Sequence, residues 1–196
     1  MPSFRTLPPS ALLALASLAL AWAPPALAQP TFDGYLCCNM RSDGGWISDI
    51  NYAEGGMQVI PVGTPVTVTG YGRYRVHTLM DGQKQDLGND YSRDLDLETF
   101  AKRYVVPYDP RPAISAAPAN VRRAIASQRL VKGMTRAQVA ASVGWPVTSE
   151  NPDLDHSRLW RFWLGSFAEF QVRFNDDDRV SDIQGDAMTL NRVLLD

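Results

Sequence analysis

Pro107, Pro110, Pro112 and Pro118 all fall in the single stretch VVPYDPRPAISAAPAN that begins at Val105. Proline lacks an N–H and fixes φ, so neither a long helix nor a central strand is expected to run through such a stretch. It predicts a linker over residues 107–118, between a region at residues 29–106 and a module at residues 119–196. Neither side shows an internal repeat.

Before the linker the pattern is that of short strands. Met57 to Ile60 and Thr64 to Thr69 are rich in β-branched residues and are parted by the turn former Pro61-Val62-Gly63. Arg73 to Met80 alternates and meets Gln83 to Leu87 across Asp81-Gly82, a dipeptide suited to a two-residue hairpin turn. A helix from Leu97 to Tyr104 follows the N-cap candidate Asp96. Closely spaced strands with tight turns predict a small open barrel, SH3-like in outline.

After the linker, Val121, Ala124, Ile125 and Ala126 share one side of a helix predicted over residues 119–130. The next helix is specified at both ends. Thr135 is an N-cap, Gln138 completes a capping box, and Met134 can staple against Val139. Gly144 suits a left-handed terminus, and Pro146 prevents continuation. Arg158 to Leu164 then places Trp160, Phe162 and Leu164 on one face, and Ala168 to Phe174 does the same for Phe170, Val172 and Phe174. Gly165-Ser166-Phe167 joins these strands, and Asn175 to Asp178 turns into Arg179 to Ile183. The fold class is α+β, a small β-rich region followed by a helix-helix-three-strand module.

The Gly133-Met134-Thr135 opening, the Gln138-Val139 pair, the Gly144-x-Pro146 closure, the strand with Trp160 and Phe162, and the Val172-x-Phe174 strand leading through acids into Arg179-Val180-Ser181-Asp182-Ile183 resemble the SmpA/OmlA (BamE-like) family. The likeness covers about residues 119–184. It implies a two-helix, three-stranded fold that serves as an accessory protein-binding module in outer-membrane assembly, without catalysis. The same short-helix pattern is similar to that of β-lactamase-inhibitor folds. The β-rich region has no counterpart in the family.

The N-terminus reads as an export signal. Arg5 precedes the apolar run Ala11 to Trp22, then Pro24 and Pro25, then Ala26-Leu27-Ala28 as the cleavage site, which places a signal peptide at residues 1–28. The run is shorter than the roughly 20 residues that cross a bilayer core. No later stretch is apolar for long enough, so the mature chain is expected to have no transmembrane segment and to be soluble in the periplasm or elsewhere outside the cytoplasm. The net charge of −2 argues against nucleic acid as a partner.

Cys37 and Cys38 lie too far beyond the apolar run to accept a lipid. In an oxidising compartment they leave three readings open: a vicinal disulfide, a bond to another chain, or a soft-metal site with Met40. The last lacks histidine or spaced cysteine ligands, and no metal or cofactor is expected.

Two sheet faces are candidates for binding. Alternation turns Arg73, Arg75 and His77 away from Tyr74, Val76 and Thr78. That is either an anion-binding face for a phosphate, lipid headgroup or cell-wall carboxylate, or an ordinary solvated face. Alternation likewise turns Arg161 and Trp163 outward together with Glu169, Gln171 and Arg173. Arg and Trp are favoured at binding hot spots, so Trp163 either anchors a partner or packs on the preceding region or the proline-rich linker.

For catalysis there is little material. His77 and His156 are the only histidines, and no nucleophile elbow, zinc helix, phosphate-cradling glycine loop or Cys-x-x-Cys pair is present. The acids from Asp176 to Asp178 lack the glycine and terminal glutamate of a calcium loop and read as a solvated turn. The expectation is a non-enzymatic envelope protein that binds other proteins, with outer-membrane assembly components as partners. The alternative is recognition of a cell-wall or other anionic ligand by the β-rich region.

Overall fold

A computed structural model describes residues 30–195 of the chain. The signal peptide expected over residues 1–28 lies outside the described residues. Within them the fold is mixed α+β. It runs β1 (Phe32–Leu36), β2 (Met40–Ser42), β3 (Trp46–Ser48), β4 (Gln58–Ile60), β5 (Pro65–Tyr71), β6 (Arg75–Met80), β7 (Gln83–Gly88), α1 (Leu97–Tyr104), β8 (Val105–Val106) and α2 (Arg111–Ser115). It continues with α3 (Ala119–Ala126), α4 (Arg136–Val143), β9 (Leu159–Gly165), β10 (Ala168–Phe174), β11 (Val180–Gly185) and α5 (Ala187–Val193).

One sheet has the strand order β3-β7-β6-β5-β1-β8, a second has β11-β10-β9, and β2 pairs with β4. The hairpin of β6 and β7 sets Met80 opposite Gln83, with Asp81 at φ 48° and Gly82 at φ 75° in the left-handed region that a tight hairpin turn demands. β3 adds to β7 in parallel. Leu36, Val66, Val68, Val76, Met80 and Leu87 form one hydrophobic cluster with Phe100, Ala101 and Tyr104 of α1. That helix starts where the Asp96 carboxylate accepts from the Thr99 amide at 2.8 Å.

The second cluster joins Val121 and Ile125 of α3 and Val139 of α4 to Trp160, Phe162, Phe170, Val172 and Phe174 on the inner face of the three-stranded sheet. Phe162 and Phe170 are cross-strand partners and stack with centroids 4.9 Å apart. Burial of such aromatics stabilises by about 3–5 kcal/mol each relative to alanine. The capping box forms as expected: the Thr135 hydroxyl accepts from the Gln138 amide at 3.3 Å, and Gln138 Oε1 accepts from the Thr135 amide at 2.9 Å.

Three local departures from expectation shape the site. The proline-rich stretch contains the short helix α2, because Pro112 falls in its first turn, where the absent N–H is one that no helix bonds. The helix expected over residues 119–130 stops at Ala126: Gln128 takes φ 56° and the Arg129 amide donates back to the Ala124 carbonyl at 2.8 Å, closing the helix end. α5 is unforeseen, and it starts where Asp186 accepts from the Thr189 amide at 2.9 Å.

The two clusters meet at Trp145, which packs against both. Main-chain bonds cross the same junction, from Asn39 N to Ala141 O at 3.0 Å, Ala53 N to Leu164 O at 2.9 Å and Ser149 N to Tyr91 O at 3.2 Å.

Candidate functional site

Register decides the outward face of β9 and β10. Trp163 stands opposite Glu169, Arg161 opposite Gln171, and Arg173 opposite both Leu159 and Asp182. With Trp160, Phe162 and Leu164 committed to the core, alternation sends Arg161, Glu169 and Arg173 into solvent and leaves Trp163 and Gln171 half-buried. Sequence reasoning missed Phe167. At the β9–β10 turn it is fully exposed (102%), and with Glu169, Gln171 and Gln184 it borders a hollow of about 400 Å³. An aromatic in a turn that polar residues usually fill was the available signal.

The free edge of β9 is closed to strand addition near Trp163. Ala53 N donates to Leu164 O, and the Asn151 side chain accepts from Arg161 N at 2.8 Å and donates to Arg161 O at 3.0 Å. Along this part of β9 the face, and not the edge, is left open to contact.

Trp163 also borders a cavity of about 260 Å³ at the junction of the two halves, shared with Arg41, Asn51, Gln128, Arg129 and Arg192. The early end of α3 brings Gln128 and Arg129 to this wall, and α5 brings Arg192. Arg41 donates to the Asn51 carbonyl at 3.1 Å, Arg129 to the Leu194 carbonyl at 3.0 Å, and Arg192 to the Ala53 carbonyl. These arginines are scattered through the sequence, each resembling an isolated surface cation, so no local pattern announces them.

No family model, curated protein or solved structure matches this chain.

The basic face of the first region has its own acids. Arg75 pairs with Asp90 at 3.0 Å and lies over the Trp46 ring at 3.6 Å, and His77 Nδ1 is 2.8 Å from Asp86. Arg73 is exposed beside the Tyr74 ring. The structure does not bring these residues to the β9–β10 face or to the junction cavity. His156 is exposed and lies 2.9 Å from Asp153.

Cys37 and Cys38 are joined in a vicinal disulfide, the first of the three readings that the sequence leaves open. Cys38 is buried, whereas Cys37 borders an apolar cavity of about 320 Å³ with Ile114 and Trp145. The turn after β10 is built on Asn175 Oδ1, which accepts from the Asp177 amide at 3.1 Å and the Arg179 amide at 2.9 Å. Its acids face cations, Asp178 with Arg136 at 2.9 Å and Asp176 with Arg158. Among the described residues no group of three or more His, Cys, Asp or Glu is placed to hold a metal ion, and no helix is long and apolar enough to cross a membrane.

Proposed function

We propose that the chain is an exported, non-enzymatic accessory protein of the cell envelope that holds a partner protein on the outward face of β9 and β10. The observation that carries this reading is the placement of two aromatics, Trp163 and Phe167, around Glu169 on a sheet whose other face is filled by the core. Aromatic anchors ringed by polar groups are the usual anatomy of a protein interface, and Arg161, Gln171 and Arg173 supply that ring. The chain order α3, α4, β9, β10, β11 supports the likeness to the SmpA/OmlA module, and with it a role beside outer-membrane assembly components. The β-rich region, read as an SH3-like outline, braces this module through the junction.

The test is affinity capture from envelope extract with the full chain and with a Trp163→Ala, Phe167→Ala double variant. The expected result is a partner protein held by the parent and lost, by at least tenfold, from a variant of unchanged melting temperature. Pelleting with insoluble peptidoglycan that weakens with salt and ignores the double variant would move the function to the basic face around Arg73.

A further inference from the structure

Arg41 belongs to β2, Arg129 to the link after α3 and Arg192 to α5, yet all three wall the one junction cavity. No Asp or Glu lines it. Among the described residues none of the three guanidiniums has a carboxylate within ion-pair distance, although Arg75, Arg111, Arg136 and Arg158 all do. A guanidinium offers five N–H donors, so the single main-chain tethers of Arg41, Arg129 and Arg192 fix their positions and leave donors over. The grouping is unfavourable on its own. Burial, reinforced by the nearby Arg192 cation, lowers the proton affinity of Arg41 below its ordinary value. An anion placed beside Arg41 and Arg192 relieves both the desolvation of Arg41 and that repulsion, and Arg129 on the same wall adds a third cation.

We infer that the junction cavity is an oxyanion site that takes a phosphoryl group, with Arg41, Arg129 and Arg192 as its charged ligands and Gln128, Asn51 and Trp163 completing its wall. Three cations match a dianion better than a single carboxylate, and guanidinium forks fit phosphate oxygens two at a time. At about 260 Å³ the cavity is smaller than drug-sized pockets, which begin near 300 Å³. It therefore takes a phosphoryl group on a short stem. The assignment shares Trp163 with the proposed sheet-face interface, but its charged ligands Arg41, Arg129 and Arg192 lie outside that face.

The source of the phosphate is either a small soluble ester or a lipid headgroup, and two arms of one experiment separate them. The full chain is titrated calorimetrically with inorganic phosphate at low ionic strength, and sedimented with phosphatidylcholine vesicles with and without phosphatidic acid. Saturable phosphate binding without vesicle retention assigns a soluble ester. Retention that requires phosphatidic acid assigns a headgroup. In either case Arg192→Gln and Arg129→Gln are each expected to weaken binding at least tenfold, with circular dichroism unchanged. The inference is overturned if neither probe binds, if the variants bind as the parent does, or if succinate or an acidic peptide is preferred over phosphate.

Discussion

The side chain of Asn39 donates to the main-chain carbonyl of Ile125 at 2.7 Å, so a residue beside the first sheet is hydrogen-bonded to the last turn of α3. The same amide reaches the Ser142 carbonyl at 3.3 Å, and its oxygen accepts from the Val62 amide at 2.9 Å. Asn39 is buried, and its removal leaves the Val62 amide and the Ser142 carbonyl without partners, while the Ile125 carbonyl keeps the Gln128 amide at 3.1 Å. Asn39→Ala is expected to destabilise the protein by about 3 kcal/mol, since each orphaned buried group costs about 1–3 kcal/mol. Because the bonds span both halves, urea unfolding followed by tryptophan fluorescence and by circular dichroism should stay coincident in the parent. Two separate transitions in the parent would show that the junction does not couple the halves.

Asp49 is buried, with Oδ2 accepting from the Tyr91 amide at 3.0 Å and Oδ1 without a partner. Burial pushes its carboxyl up to about 6, Asp90 adds to the rise, and hydrogen bonds from Tyr91 and Ser92 oppose it. Between about pH 4 and pH 6 the folded chain keeps a proton that the unfolded chain has released, so this group makes stability fall as pH rises through that window. Asp49→Asn should flatten the slope and raise stability at pH 7 by on the order of 2 kcal/mol. Denaturant midpoints at pH 4.5 and 7 check it, and an unaltered slope in the variant would refute the assignment.

Thr135→Ala removes one arm of the capping box at the start of α4. A loss of about 1 kcal/mol is expected, and Thr135→Ser should restore most of it. Thermal unfolding of the three proteins measures this directly.

Features encoded locally were legible in the sequence. Thr135 and Gln138 identify their helix start because cap and partner are three residues apart, and the alternation of Trp160, Phe162 and Leu164 against Phe170, Val172 and Phe174 fixes which sheet face is buried. The same alternation put Trp163 and its neighbours on the outward face. Features set by distant partners were not legible. β2 and β3 are three residues each, too short to show a period, and β3 finds its partner β7 only after three intervening strands. The end of α3 at Ala126 depends on Gln128 accepting a left-handed backbone, which an unbroken helical pattern hides. The junction cavity is the extreme case, since Arg41, Arg129 and Arg192 meet only once both halves are folded together.

In-cell photo-crosslinking decides whether the β9–β10 face holds a partner protein. A benzophenone side chain is placed at Phe167 or at Trp163, with Tyr108, also strongly exposed at 83%, as the control position. One dominant protein adduct is expected from both sheet positions, and none of that mass from Tyr108. A folded, exported protein that gives no adduct at Phe167 and Trp163, or the same adduct at Tyr108, would contradict it.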